Sequence, residues 1–176
     1  MGIKELIAKI EQWGKDRELD KKATVEGQAV KTAEEMAELI IGISKDKIDV
    51  IEDSIGDVFV TLVIGNMINR KYDMSKIHNE NKHKLSRIPE GHINYDKPKQ
   101  IRLLADKIDR IIKDKYVIEN LKGTQYLLLR IADIYDLDFV ECVESAYNEI
   151  KDRTGKTING QFIKSEDLDD LQGVDN

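Results

Sequence analysis

The sequence predicts an all-α protein built as a helical bundle. Three observations support this: the 176 residues include only two prolines, strong helix formers and isoleucine are abundant, and apolar residues recur at helical spacing along most of the chain. With 40% hydrophobic and 35% charged residues, a chain of this length can bury one substantial core. We therefore expect a single helical domain.

Helical segments follow one another along most of the chain. The apolar period predicts six main helices, at about 3–17, 25–43, 47–70, 101–112, 124–135 and 139–150. Thr24 and Asp138 are typical N-caps for the second and the last of these, and residues 18–23 form a polar loop. The third helix is apolar on several sides after Asp57, which predicts burial between other helices or at a subunit interface.

A polar stretch interrupts this pattern between residues 72 and 96. It contains Pro89 and Gly91, and it predicts a short helix followed by a loop. We therefore expect an insertion, at about 72–123, within one helical domain that spans residues 1–164.

The C-terminal region predicts a different local structure. Asn159-Gly160 separates two short stretches within residues 157–162, the pattern of a tight β-hairpin. The acidic tail that follows, 165–176, is expected to be mobile.

Composition and charge bear on location and partners. A net charge of -6 argues against a general nucleic-acid binder, so we expect no stable nucleic-acid partner. The apolar run Val58–Ile64 is too short to cross a bilayer, and Lys4 and Glu5 stand where a signal peptide would be apolar. We expect a cytoplasmic protein without a membrane partner, in which Cys142 is a small core residue.

Two groups of acidic residues lie within the strongly apolar helices. Residues three or four apart share a helix face, so Glu35 and Glu38 point the same way, and so do Asp53 and Asp57. If the two helices pack antiparallel, the pairs meet, and their charges repel unless a divalent cation neutralises them. All-oxygen ligands favour magnesium or manganese, which also bind substrate phosphates.

A solvated, ion-paired helix face is the alternative explanation of these acids. Lys31 lies three residues before Glu34 and four before Glu35, which is the spacing of ordinary surface ion pairs. The apolar neighbours of the acids favour the metal site, since they leave little of either helix as a polar exterior.

The acids resemble the signature of the MazG-like branch of the all-α nucleoside triphosphate pyrophosphohydrolases, EExxE followed by ExxD. The stretch 34–38, Glu-Glu-Met-Ala-Glu, matches the first half, and Asp57 ends the second. One position departs from the family pattern, because Ser54 stands where ExxD has its Glu. Asp53, four residues before Asp57, shares its face but has a shorter side chain than Glu.

Other parts of the chain share this resemblance. The run 146–155, with Asn-Gly-Gln-Phe at 159–162 after it, is similar to the ending of phage-associated members. The resemblance covers about 5–71 and 124–164, and the combination is more specific than any one motif. It implies the helical bundle of the all-α nucleoside triphosphate pyrophosphatases.

The resemblance also implies an activity and its residues. Members hydrolyse a nucleoside triphosphate between the α and β phosphates, which gives the monophosphate and pyrophosphate, with magnesium (or manganese) on the substrate phosphates. The implied catalytic carboxylates are Glu34, Glu35 and Glu38, and the implied metal ligands are Glu35, Glu38, Asp57 and, by inference, Asp53. Glu34 could be a ligand or orient the attacking water as a base.

Further residues are candidates for binding the substrate. Lys31, Lys151 and Arg153 are the candidate phosphate partners, although a solvated helix face explains each of them equally well when it is taken alone. The candidates for the base pocket are Trp13, Gln28, Tyr147 and Asn148, of which Trp13 and Tyr147 would otherwise be core residues. Family members assemble from several copies, so a homodimer or homotetramer is expected.

Two other classes of protein remain open. Carboxylate-bridged four-helix metal proteins use paired Glu-x-x-His motifs, and only Glu80 with His83 matches, without a second copy. His78 and His92 are expected to be exposed. The other class is a non-enzymatic helical interaction or metal-binding protein with a degenerate site, which the departure at Ser54 keeps open.

Overall fold

Helices make up most of the computed structural model, which describes residues 1–69, 71–89 and 96–172. Within these ranges the chain forms an all-α bundle with a small C-terminal hairpin, which confirms the fold class predicted from the sequence. The elements, in chain order, are α1 (Ile3–Asp16), α2 (Leu19–Lys22), α3 (Val25–Ser44), α4 (Ile48–Asn69), α5 (Met74–Leu85), α6 (Lys97–Asp114), α7 (Ile118–Ile134), α8 (Phe139–Ile150), β1 (Gly155–Ile158), β2 (Gln161–Lys164) and α9 (Ser165–Gln172).

The helix limits differ from the predicted ones at a few places. The loop predicted at 18–23 contains the single-turn helix α2, so that expectation is wrong. Helix α6 begins earlier than predicted, because the Asp96 carboxylate accepts a hydrogen bond from the Lys99 amide (3.0 Å) and caps the first turn. Arg70, the predicted end of the third helix, lies outside the described residues.

Helix α4 forms the centre of the bundle. It packs against α1, α3, α7 and α8, and it is buried along most of its length after Asp53. The burial from several sides that the sequence predicts for this helix is therefore confirmed. Because burial of apolar surface is the main favourable term in folding, α4 contributes strongly to the stability of the bundle.

A glycine of α4 allows α8 to lie directly against it. A side chain at Gly56 would collide with the Cys142 carbonyl oxygen and would lie 2.8 Å from the Ala146 methyl group. Backbone therefore meets backbone at this point of the α4–α8 contact, which only glycine permits. Cys142 itself is buried there, as the sequence predicts, and burial raises the pKa of its thiol to about 12.

A second glycine of α4 accepts an aromatic ring. The Tyr116 side chain fills the space beside Gly65, where a methyl group would overlap the ring. The Tyr116 hydroxyl shares a hydrogen bond of 2.7 Å with the Thr32 hydroxyl of α3. Tyr116 therefore joins the segment before α7 to both α3 and α4.

The segment expected to be an insertion, 72–123, packs closely against the remaining helices. Helix α6 contacts α3 and α7, and α5 contacts α1 and α7. This packing also buries His78, which is 3% exposed and stacks on Phe139, so the expectation of an exposed histidine is wrong. The predicted loop includes residues 90–95, which lie outside the described residues, as does His92.

The hairpin is anchored at the start of α3. Its turn residues, Asn159 and Gly160, have φ values of 51° and 81°, which suit the tight two-residue turn predicted from the sequence. The Thr24 amide donates a hydrogen bond to the Gly160 carbonyl (2.9 Å), and the Gln161 side chain donates to the Gly27 carbonyl (3.2 Å). Thr24 also caps α3, as expected, by accepting from the Gly27 amide.

Two further findings concern the tail and the membrane. Residues 165–172 form α9, which contacts both strands of the hairpin, whereas mobility of the tail stays a prediction. Among the described residues, no helix combines the length and the apolar character needed to span a membrane.

The α4–α8 contact generates a stability prediction. We expect Gly56→Ala to lower the free energy of unfolding by about 1–3 kcal/mol, the usual cost of overpacking, because the methyl group meets the Cys142 carbonyl. Urea unfolding followed by circular dichroism measures this change.

A matched control lies on α7. In Gly123→Ala the nearest neighbouring atom is the flexible end of Lys107, 3.3 Å away, so the higher helix propensity of alanine should leave stability unchanged or raise it by up to about 1 kcal/mol. Equal free energies of unfolding in the two variants would contradict the close α4–α8 contact.

Candidate functional site

Two of the acidic residues singled out in the sequence, one on α3 and one on α4, lie near each other. Residues 45–47 reverse the chain between these two helices, which pack along each other. Glu35 of α3 and Asp57 of α4 are both half-buried and close enough for their charges to interact. The two acidic helices therefore pack against each other, whereas the meeting of both acid pairs stays a prediction.

We call Glu34, Glu35, Glu38, Asp53 and Asp57 the acidic group. Asp57 has the most strongly raised pKa among them. Burial raises its pKa to about 7, and the negative charges of Glu35, Asp53 and Glu149 add to the increase. The positive charge of Arg153 opposes it. A carboxylate with three acidic neighbours and one cationic neighbour is under-compensated, which is typical of sites that bind a cation or move a proton.

Glu35 experiences the same effects more weakly. Burial raises its pKa, and the charges of Glu38 and Glu34 act in the same direction. Lys31 opposes the increase across a distance of 3.6 Å between its Nζ and a Glu35 carboxylate oxygen. The α3 acids are thus coupled to one another and, through Glu35, to Asp57.

Lys31 lies at the outer edge of the acidic group. Its Nζ is 2.7 Å from a Glu34 carboxylate oxygen. Burial alone would lower the pKa of Lys31, but the hydrogen bond to Glu34 and the charge of Glu35 outweigh burial and raise it. The side chain of Glu34 is 51% exposed and that of Glu35 only 16%, so the ion-paired surface accounts for Glu34 and not for Glu35.

The second acidic motif differs in burial on its two sides. Ser54, at the position where the family motif has Glu, is 2% exposed and lies inside the α4 packing. Asp53 is exposed, and its charge acts on Asp57. Asp53, one position before Ser54, therefore contributes negative charge near Asp57.

Glu149 is an acidic neighbour that sequence reasoning missed. It lies on α8, three residues after Ala146, which packs against Gly56. Because residues three apart share a helix face and Asp57 follows Gly56, the α4–α8 contact brings Glu149 towards Asp57. The small residue Ala146, three positions before Glu149, indicates a face of α8 that can pack closely on another helix. It does not reveal which helix that is.

The cationic and amide candidates divide into two groups. Arg153 is half-buried and acts on Asp57, and Gln28 of α3 donates a hydrogen bond to the Thr61 carbonyl of α4 (3.1 Å). Lys151 and Asn148 are exposed and contact each other at 3.2 Å. Charge or hydrogen bonding joins the first two to α3 and α4, whereas the side chains of Lys151 and Asn148 contact each other.

The two aromatic candidates lie away from solvent to different degrees. Trp13 is buried, and its Nε1 donates a hydrogen bond to the Ile150 carbonyl (2.7 Å). The Arg17 guanidinium covers its ring at 4.5 Å, and Phe162 meets the ring edge-on at 5.6 Å. Tyr147 is half-buried at the side of the core. The Trp13 indole already contacts protein groups on its N–H, its face and its edge.

The acidic group has the ligand atoms of a magnesium site, but its side chains do not yet point to a common metal position. In the part of the chain that the structure describes, no three His, Cys, Asp or Glu side chains stand together at metal-ligand spacing. The donors are all carboxylate oxygens, and their excess negative charge matches what a divalent cation neutralises. Binding would require the carboxylates to rotate towards a common point.

A separate small cleft lies between α6 and α7. Gln100, Leu103, Leu127 and Arg130 are among its lining residues, whereas the candidate acids of α3 and α4 do not line it. The other metal motif considered from the sequence is also elsewhere, since Glu80 forms an ion pair with Lys122 at 2.7 Å. We place the candidate site at the acids because there, among the described residues, two carboxylates with raised pKa values, Glu35 and Asp57, interact.

Comparison with known proteins gives a partial similarity to a phage protein. No family model matches the chain, and no solved structure matches it. A stretch of 62 residues is 50% identical to the "uncharacterized 18.2 kDa protein in rep-hol intergenic region" of Haemophilus phage HP1 (strain HP1c1). This stretch is 35% of the present chain and 38% of the phage protein, so the match spans less than half of either.

The raised pKa of Asp57 generates a prediction about pH. Between about pH 4 and 7 the folded protein holds a proton that the unfolded chain releases, so the stability of the metal-free protein should fall as pH rises through this range. We expect a loss of about 1–3 kcal/mol, measured by urea unfolding in the presence of a chelator.

Two variants isolate the effect. Asp57→Asn should flatten the pH dependence, whereas Asp49→Asn, at an exposed position on the same helix, should retain it. Parallel pH profiles for the wild type and Asp57→Asn would show that Asp57 titrates as an ordinary surface carboxylate.

Proposed function

We propose that this protein is a metal-dependent nucleoside triphosphate pyrophosphohydrolase, which hydrolyses (d)NTPs between the α and β phosphates to (d)NMP and pyrophosphate. The observation that carries the proposal is the half-buried position of Asp57 between packed helices, where the negative charges of Glu35, Asp53 and Glu149 act on its carboxylate. Keeping like charges together in a partly desolvated place costs free energy, and folding alone gives no reason to accept that cost.

The acidic residues would hold the ion. Glu35, Glu38, Asp53 and Asp57 are the proposed ligands, as the resemblance to MazG-like proteins implies, and Glu149 joins them because its charge reaches Asp57. Bound magnesium, or manganese, would supply positive charge for the substrate phosphates and would acidify the attacking water. The raised pKa of Asp57 means that ion binding competes with a proton at neutral pH.

Glu34 is suited to a different task from its neighbours. Its side chain is 51% exposed, against 16% for that of Glu35, and its carboxylate lies 2.7 Å from the Lys31 Nζ. An oriented carboxylate beside the ligands can accept a proton from the attacking water. We therefore assign Glu34 the role of base, and Lys31 the role of orienting it and meeting the phosphates.

The substrate residues follow from the same geometry. Arg153 is the first candidate for a phosphate partner, since its charge already reaches the acidic group, and the exposed Lys151 is the second. Gln28, Tyr147 and Asn148 remain candidates for the base pocket. Trp13 is not assigned to it, because its N–H, face and edge are all in contact with protein groups.

Self-association belongs to the same proposal. Large apolar side chains remain exposed on the helices that carry the acids, namely Val30 and Ile41 on α3 and Ile48 on α4. A homodimer or homotetramer would cover these side chains. The proposed location is the cytoplasm, where the protein would meet its nucleotide substrate. Sedimentation equilibrium tests the first point, and a monomer at all concentrations would contradict it.

The activity is tested by identifying products. With Mg²⁺ or Mn²⁺ and a panel of ribo- and deoxynucleoside triphosphates, the wild type should release pyrophosphate and a monophosphate, detected by ³¹P NMR. Glu38→Gln should lower kcat/KM by about 100-fold or more, because it removes a charged ligand from the transition state. Glu26→Gln, at an exposed position on the same helix, should retain the wild-type rate.

Outcomes other than release of pyrophosphate and a monophosphate distinguish the alternative functions. Release of orthophosphate and a diphosphate would contradict cleavage between the α and β phosphates. Metal binding without hydrolysis of any nucleotide would favour a non-enzymatic metal-binding or interaction protein, in which the buried Ser54 has replaced an essential carboxylate.

A further inference from the structure

Arg17 connects the end of α1 to the end of α8. It is the C-cap residue of α1, and its guanidinium extends to the backbone after α8. Its Nε and Nη2 both donate hydrogen bonds to the Arg153 carbonyl, at 2.8 and 2.5 Å, and Nη2 also lies 3.3 Å from the Lys151 carbonyl. These contacts join residues more than 130 positions apart in the sequence.

Trp13 supports Arg17 from one turn earlier. The Arg17 guanidinium lies over the Trp13 ring at 4.5 Å, and its Nη1 donates to the Trp13 carbonyl (3.2 Å). Trp13 also donates its indole N–H to the Ile150 carbonyl at 2.7 Å. Trp13 and the C-cap residue Arg17 thus bind the carbonyls of Ile150, Lys151 and Arg153, at and just after the C-terminal end of α8.

These contacts fix the backbone from which the Arg153 side chain extends. Arg153 is the positive group whose charge acts on Asp57. Of the three hydrogen bonds that the Arg17 guanidinium makes beyond α1, two are to the Arg153 carbonyl oxygen. A planar guanidinium that donates twice to one oxygen restricts both the position and the direction of that peptide group. A lysine could not reproduce this, because its ammonium is a point donor.

We propose that Arg17, held on Trp13, is a positioning residue that aims the Arg153 guanidinium at the phosphates of the substrate. This inference rests on the proposed function, since it takes Arg153 as a phosphate partner. Arg17 itself does not touch the substrate. The positioning role of Arg17 explains why Trp13, a candidate for the base pocket in the sequence, is instead buried beneath the Arg17 guanidinium.

A double-mutant cycle tests this role. The probe is pyrophosphate binding in the presence of Mg²⁺, measured by calorimetry for the wild type, Arg17→Gln, Arg153→Gln and the double variant. If Arg17 acts through Arg153, each single substitution should weaken binding, by about tenfold for a charged hydrogen-bonded contact, and the double variant should be no weaker than Arg153→Gln. KM for a hydrolysed triphosphate should follow the same non-additive pattern.

Controls separate positioning from simple helix capping. Lys15→Gln removes an exposed cation from the same turn of α1 and should leave pyrophosphate binding unchanged. Arg17→Lys, which keeps the charge, should restore only part of the affinity, and it replaces Arg17→Gln in the cycle if that variant does not fold. Additive losses in the double variant would overturn the role of Arg17 as a positioning residue.

The proposed function and this inference fail in different ways. A wild type that releases pyrophosphate, combined with additive losses in the cycle, overturns the inference alone. A wild type that neither hydrolyses triphosphates nor binds pyrophosphate overturns both.

Discussion

The close approach of α4 and α8 at Gly56 is the constraint on which the candidate site depends. Because Gly56 has no side chain, the Cys142 carbonyl and the Ala146 methyl group lie directly against α4. Asp57 is the next residue, so the same contact that brings the two helices together also brings the charges of α8 to this carboxylate. Glu149 and Arg153 affect Asp57 only because α8 lies so close.

The site is electrostatically unfavourable in isolation, and the surrounding apolar packing offsets the cost. Asp57 and Glu35 are partly removed from water while their neighbours are mostly acidic, and both pKa values are raised. Beyond Asp57, α4 is buried on several sides, and Tyr116 closes the gap at Gly65 with a hydrogen bond to Thr32. A well-packed helix can thus hold a carboxylate in a place that would be unfavourable on a weaker element.

Local patterns in the sequence were enough to predict the helices and part of the site. The caps at Thr24 and Asp138 and the Asn159-Gly160 turn have strong local preferences, so they appear where predicted. Glu35 and Asp57 follow from helical spacing within apolar segments. These features depend on residues close together in the sequence, where the physical rules are most reliable.

Contacts between distant segments could not be predicted in the same way. Glu149 reaches Asp57 because of the glycine contact between α4 and α8, and Arg17 reaches Arg153 across the whole length of the chain. The burial of His78 likewise depends on how α5 packs against the bundle. A periodic pattern indicates which face of a helix is apolar, but not which helix will cover it.

The most direct test of the central claim is the position of a bound ion. Crystals grown with Mn²⁺ and a triphosphate analogue that cannot be cleaved between the α and β phosphates would show the ion by its anomalous scattering. We expect an anomalous peak between α3 and α4, within bonding distance of carboxylate oxygens of Glu35, Glu38 and Asp57. An ion bound elsewhere, or a nucleotide bound with no ion at these carboxylates, would contradict it.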